Sequence, residues 1–161
     1  GVPMAAIGGS HEIMSGLEWG KVLHFGTHNA GRLALHICKT MLTTMLEDNQ
    51  AGFVKIKDLG IKLTEEIQSI SRKNTKHKMV CQGVNSMFQI FFTDQKEISN
   101  YRDFCRSVDR VKFRDFALKL FDKGIYMNPS ATLHSLSSII HNEKDIEVTA
   151  RAIAETLDER P

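Results

Sequence analysis

The sequence predicts an α+β chain in which helices pack on a mostly antiparallel sheet. Three observations carry that expectation. From Ala51 onward, segments with a helical period alternate with shorter strand-like segments, in the order helix, strands, helix, strands, helix. Beyond Gly83, Phe88, Ile90 and Phe92 interleave with Met87, Gln89 and Phe91, which reads as a strand joined at or near the glycine to the one before it. The later helical stretches carry end signals: Gly124 closes one, and Asn142 with Asp145 opens the next.

Residues 1–20 read as a short strand or hairpin, then a turn, then a brief helix with Ser10 as N-cap ahead of Glu12, Ile13 and Met14. Val22–Phe25 is a second short strand candidate. Beyond it, Leu35, Cys38, Leu42 and Met45, flanked by Ala34, Ile37 and Met41, make most faces of a helix apolar, so burial on nearly all sides is expected. Asp48-Asn49-Gln50 closes that helix. The segment from Ala51 to Lys73 is amphipathic, with Ile56, Leu59, Leu63, Ile67 and Ile70 opposite Lys55, Lys62, Glu65, Glu66 and Lys73. Lys76 to Thr93 holds two strands joined at or near Gly83. The polar stretch Asp94–Arg106 is expected to be a loop tacked down by Tyr101 and Phe104. Asp109–Lys123 is helical through Val111, Phe113, Phe116, Ala117, Leu120 and Phe121. Ile125–Asn128 and Leu133–Ile140 are strand-like, and Ile146, Ala150, Ile153 and Leu157 define the last helix.

Composition narrows the function classes. The 21 basic and 19 acidic residues leave a net charge of +2 spread along 161 residues, with no field to draw in nucleic acid or an anionic membrane. Apolar runs break well short of the roughly 20 residues of a membrane span, and no signal-peptide pattern opens the chain, so a cytoplasmic setting is expected. Cys38, Cys81 and Cys105 are odd in number and far apart, which reads as reduced core thiols. His24 with His28, or His36 with Cys38, could supply two metal ligands but not a full set, so no metal is expected. His36 and His134 read as core or interface residues. The apolar opening Gly1-Val2-Pro3-Met4-Ala5-Ala6-Ile7-Gly8-Gly9 resembles a strand interior rather than a domain edge, as though the chain continued a longer one.

One segment invites chemistry. Gly26-Thr27-His28-Asn29-Ala30-Gly31 is a small polar turn, flanked by glycines, placed directly before an apolar helix. Unpaired amides and the helix dipole favour an anion at such a place, a phosphate above all. The alternative is a turn that simply caps the helix through Asn29 or Thr27.

The segments "GVPMAAIGG" and "HFGTHNAGRLA", together with Glu12-Ile13-Met14, Phe92-Thr93-Asp94, "DKGIYMNPS" and "SSIIHNEKDIEVT", resemble in order and spacing the C-terminal part of the class III, fold-type I pyridoxal-phosphate aminotransferases. The likeness is strongest to the glutamate-1-semialdehyde aminomutase branch and covers nearly the whole chain. It implies that residues 1–48 are the tail of the large cofactor domain and 49–161 the small domain. It also implies an enzyme that moves an amino group on a small amino-acid substrate, giving 5-aminolevulinate for tetrapyrrole synthesis. The expected assembly is a homodimer with pyridoxal-phosphate sites shared between subunits. By the same resemblance Gly26 and Thr27 hold the cofactor phosphate, Thr27 across the dimer interface, with His28 beside them. Gly31-Arg32 stand where many members carry Asn-Pro. The family's cofactor-bearing lysine would precede Gly1, and neither Lys21 nor Lys39 matches its motif, so no catalytic residue is expected here and the chain alone should be inactive. An aminotransferase of another amine, or a non-catalytic dimerisation module, are the alternatives.

Overall fold

The structure is a computed structural model and describes residues 2–18, 21–74 and 76–159. The chain divides into two compact units, Gly1–Ala51 and Gly52–Pro161.

In the first unit, Ser10 caps the short helix α1 (His11–Met14) as expected, its hydroxyl accepting the Ile13 N–H at 3.4 Å. A single 3-10 turn, Ser15–Leu17, follows. The helical run α2 (Arg32–Lys73) is interrupted at Glu47, and Asp48, Asn49 and Gln50 then sit in left-handed conformation with φ of 49°, 56° and 66°. Asp and Asn tolerate that region better than most residues, so the closing signal acts where the sequence places it. It divides α2 into two limbs, residues 32–46 and 51–73.

Three expectations fail in this unit. Neither the opening segment nor Val22–Phe25 forms a strand among the described residues; Gly1, Trp19 and Gly20 lie outside them. An extended segment becomes a strand only when another backbone takes up its N–H and C=O groups, and none does so here. The limb 32–46 is not enclosed: Leu33 is 75% exposed and Leu46 55%, and Met45 alone among its residues is buried. Its periodicity reports what the helix is able to bury, whereas its exposure reports the neighbours present to cover it.

The second unit is built on a three-stranded antiparallel sheet in the order β1 (Met79–Val84), β2 (Met87–Phe92), β3 (Ser135–Leu136). Register pairs Met79 with Phe92, Cys81 with Ile90 and Gly83 with Phe88. Those residues share one face, and Met79, Cys81, Phe88, Ile90 and Phe92 join a buried cluster with Ile67 of α2, Phe113, Phe116 and Leu120 of α4 (Arg110–Asp122) and Ile153 and Leu157 of α5 (Glu143–Asp158). Burial pushes the Cys81 thiol up to about 12, so it stays a neutral core thiol. The hairpin turns at Asn85-Ser86, with Asn85 left-handed, two residues beyond Gly83.

The opposite face, carrying Val80, Gln82, Gln89 and Phe91, is covered by the segment expected to be a loop. Half of that segment is instead α3 (Tyr101–Ser107), started by Asn100, whose side chain accepts the Arg102 and Asp103 N–H groups. Phe104 is buried and packs edge-on to Phe91 at 6.0 Å, while Tyr101 stacks outside it at 5.7 Å. Gln82 clamps the approach to α3, donating to the Ile98 carbonyl and accepting the Ile98 N–H at 2.7 Å. The polar composition of residues 94–106 concealed a helix too short for its period to register.

Edge strand β1 is sealed by the second limb of α2. Ser71 donates to the Met79 carbonyl and Gln68 to the Cys81 carbonyl, satisfying outward-facing groups that would otherwise template pairing with another chain. At the other end of the contact a Cβ on Gly60 would stand 2.2 Å from the Asn85 carbonyl oxygen, so only glycine admits the hairpin turn this close.

Helix α4 ends as its sequence indicates. Gly124, at φ 81°, donates to the Phe121 carbonyl and Ile125 to the Leu120 carbonyl, the paired bonds of a Schellman cap. The cap takes the Ile125 N–H, and Ile125–Asn128 forms no strand; of residues 133–140 only Ser135–Leu136 pair. Helix α5 opens with a full capping box between Asn142 and Asp145. Cys105 is exposed and Cys38 half-buried, against the expectation of core thiols, and His36 and His134 are exposed rather than core.

Two outcomes follow for the second unit. Gly60→Ala should cost about 1–3 kcal/mol in urea denaturation, the usual penalty of forcing atoms into a packed contact; an unchanged midpoint would show that α2 does not seat on the turn. His77 lies edge-on to Phe92 at 6.4 Å with its Nδ1 buried and unpartnered among the described residues. Burial, followed by the charges of Lys112, Lys76 and Lys119, lowers its pKa from 6.5. The folded state therefore binds the proton less readily than the unfolded chain, and this contribution to stability is complete above pH 6.5 and lost as pH falls through the depressed folded value. Denaturation at stepped pH should show that loss above the carboxylate range, and His77→Gln should remove it.

Candidate functional site

The Gly26–Gly31 turn is two successive bends. The Asn29 N–H donates to the Gly26 carbonyl at 3.0 Å and the Gly31 N–H to the His28 carbonyl at 3.3 Å. Ala30 stands at φ 54°, and the helix takes over with Leu35 donating to the Gly31 carbonyl at 2.9 Å. The side chain of Asn29 folds back over Gly26, close enough that a Cβ there would stand 2.9 Å from its Oδ1.

The bends leave a set of amides unclaimed. Among the described residues, the N–H groups of Thr27, His28, Ala30, Arg32, Leu33 and Ala34 have no protein acceptor, and all but Ala34 belong to exposed residues. Neither Thr27 nor Asn29 caps the helix with its side chain, so the capping alternative is not realised. What remains is a cluster of donors at the positive end of a helix, with a free hydroxyl on Thr27, and such a surface accepts an anion. Gly26, Thr27 and His28 are thus brought together in one turn, and all three are exposed. His24, His36 and Cys38 join no metal set, as no group of three or more His, Cys, Asp or Glu able to hold an ion occurs among the described residues.

Asn128-Pro129-Ser130 forms a local turn in which Asn128 Oδ1 accepts the Ser130 N–H at 2.9 Å. Sequence reasoning passes over Gln89, treating it as one member of an alternating strand. Its signal is a lone amide among Phe88, Ile90, Phe91 and Phe92, where burial forces a polar side chain to find partners.

No family model matches the chain. Curated relatives do. Glutamate-1-semialdehyde 2,1-aminomutase of Clostridium kluyveri is 32% identical over 154 residues, 95% of this chain and 36% of that protein. An enzyme of the same name from Thermus thermophilus is 32% identical over 159 residues, 98% of this chain and 36% of that protein. The chain therefore spans little more than a third of the length of these relatives. Among solved structures it resembles an omega-transaminase from Sphaerobacter thermophilus (TM-score 0.71, 23% identity, 93% of this chain and 34% of that one). It also resembles a β-phenylalanine aminotransferase from Variovorax paradoxus (TM-score 0.75, 21% identity, 92% of this chain and 33% of that one). These structural likenesses establish the fold, which is that of part of a fold-type I transaminase.

The free hydroxyl of Thr27 makes a direct test of the turn. Thr27→Val should leave urea stability within about 0.5 kcal/mol of the parent, as for a surface substitution away from any structural feature. A loss near 1 kcal/mol, typical of a removed cap, would return the residue to a capping role.

Proposed function

We propose, from the premise that the chain belongs to the class III aminotransferases, that it is the C-terminal portion of a pyridoxal-phosphate-dependent enzyme of the glutamate-1-semialdehyde 2,1-aminomutase type. The observation that carries this reading is the 32% identity to the Clostridium kluyveri aminomutase along 95% of the chain. On this reading residues 1–48 are the tail of the large cofactor domain and residues 49–161 the small domain.

The Gly26–Gly31 turn fits the cofactor's phosphate, because its unclaimed amides and the helix dipole supply donors and positive potential without a lysine or arginine. Gly26 keeps the backbone narrow, Thr27 donates its hydroxyl and N–H into the neighbouring subunit's site of a homodimer, and His28 borders the same group. When bound, the cofactor supplies the electron sink for moving an amino group, in the aminomutase case between adjacent carbons to give 5-aminolevulinate. This chain's share is to fix the phosphate and so the ring's position. No lysine here stands in the family's cofactor-bearing motif, and the 161 residues alone are proposed to be inactive. A small amino-acid substrate and a cytoplasmic setting complete the proposal. No described helix is long and apolar enough to cross a membrane.

An aminotransferase of another amine is the nearest variant, favoured by the fold shared with the two transaminases above. A non-catalytic dimerisation module is a second reading, favoured by the exposed apolar residues of the 32–46 limb, with Leu33 75% and Leu46 55% exposed. Light scattering that shows a monomer would exclude the module.

The first test is borohydride reduction of the protein from its natural source with pyridoxal phosphate, followed by peptide mapping. The expected result is a reduced adduct on a lysine outside these 161 residues; a native chain of this length without adduct would overturn the enzyme reading. In the enzyme so identified, Thr27→Val should weaken pyridoxal phosphate about tenfold, the worth of a hydrogen bond to a charged group. Binding of pyridoxal, which lacks the phosphate, should be unchanged. Equal losses for both would place Thr27 elsewhere than at the phosphate.

A further inference from the structure

We propose that the outer face of α4 is a docking surface for a second copy of this chain, met in parallel about a two-fold axis that runs along the helix. The two helices packed into the same core, α4 and α5, differ in what they show to solvent. Every exposed residue of α5 is charged, from Glu143 to Asp158, as suits a solvated helix face. The exposed residues of α4 instead include Val111 at 71%, Leu118 at 48% and Phe121 at 63%. Tyr126, 74% exposed and edge-on to Phe121 at 6.5 Å, extends the apolar surface past the end of the helix.

The charges beside this surface select the partner and its direction. With the helical repeat, Val111 and Leu118 lie one above the other and form a seam. Arg110 and Arg114 flank the seam on the side to which Phe121 leans, and Asp115 and Asp122 flank it on the other. All four are exposed and make no ion pair among the described residues, whereas Glu143, Glu155 and Asp158 of α5 pair with Lys62, Lys123 and Lys76. An axis across two facing helices pairs them antiparallel and sets like flank against like flank, arginines on arginines. An axis along them sets the basic edge of each copy against the acidic edge of the other, so the surface is self-complementary, as a contact between identical copies must be. Written as a heptad, Val111 and Leu118 take the a positions and Arg114 and Phe121 the d positions, and Arg110 at g faces Asp115 at e of the second copy. A helix of 13 residues is about 20 Å long. The contact is therefore small, below the roughly 1,200 Å² of a stable interface, and the dimer is weak.

This surface lies in the second unit and shares no residue with the Gly26–Gly31 turn, so its failure leaves the phosphate reading untouched. The test is sedimentation velocity of the 161-residue chain over a concentration series, with circular dichroism to establish that each variant is folded. The expected result is a monomer that becomes a dimer as concentration rises. Leu118→Lys should abolish the dimer. Asp115→Arg and Arg110→Asp should each weaken it about tenfold, since each sets like charges together at both symmetry-related pairs. Combining the two exchanges should restore the parent affinity. A chain that stays monomeric throughout the series would overturn the proposal, and that measurement needs no variant. A dimer indifferent to Leu118→Lys would overturn it as well and assign the association to another surface, such as the 32–46 limb. So would a double exchange no stronger than the single ones.

Discussion

The second unit depends on how closely the residue 51–73 limb of α2 approaches the β1–β2 hairpin. Gly60 admits the Asn85–Ser86 turn against the helix axis, and one turn of helix or more further on Ile67, Gln68 and Ser71 reach the sheet. Ile67, fully buried, supplies apolar contact, while Gln68 and Ser71 satisfy carbonyls on the edge of β1. The two kinds of contact reinforce each other. Burying an edge strand under a helix without partners for its carbonyls would forfeit more than the apolar contact returns. With the edge closed, the face carrying Phe88, Ile90 and Phe92 receives α4 and α5, with Phe92 edge-on to Phe116 of α4 at 5.3 Å and Ile153 and Leu157 of α5 in the same core.

The other face of the same sheet is organised differently. Apolar packing there centres on Phe91, Phe104 and Ile98, and amides tie the surrounding backbone: Gln82 holds both polar groups of the Ile98 backbone, and Gln89 holds the Ala131 carbonyl. Gln82 and Gln89 are directly paired across the strands. One is fully used and the other keeps an oxygen without a partner among the described residues, so the two faces divide between a dry core and a polar layer with unspent hydrogen-bonding capacity.

Legibility in the sequence followed the length and the self-sufficiency of each signal. The 51–73 limb, α4 and α5 were readable because each has several turns of period and, at α4 and α5, caps whose chemistry is local: Asp109, Gly124, Asn142 with Asp145. Helix α3 was not, since seven residues give barely two turns and its polar composition resembles a loop. Strand propensity misled at Val22–Phe25 and Ile125–Asn128, because a strand is a relation between two segments and a single segment's composition cannot supply the second. The turn at Gly26–Gly31 was legible as a place where donors gather. That its side chains leave the helix uncapped was not, because Thr27 and Asn29 are equally good capping residues and only geometry decides which role they take.

The exposure of the residue 32–46 limb bears on how the phosphate turn would work. A turn that grips an anion through backbone amides must hold those amides in fixed directions, and rigidity comes from the helix it opens into. That helix shows Leu33, Met41, Leu42 and Leu46 to solvent in the single chain. At roughly 25 cal/mol per Å² of apolar surface covered, enclosing such a helix is worth several kcal/mol, far more than a few amide contacts to a phosphate return in water. On the proposed reading, then, cofactor binding is downstream of burial: the surfaces that cover this limb create the rigid donor set, and the phosphate exploits it. Weakening the cover should therefore loosen the grip on phosphate before any residue of the turn is touched.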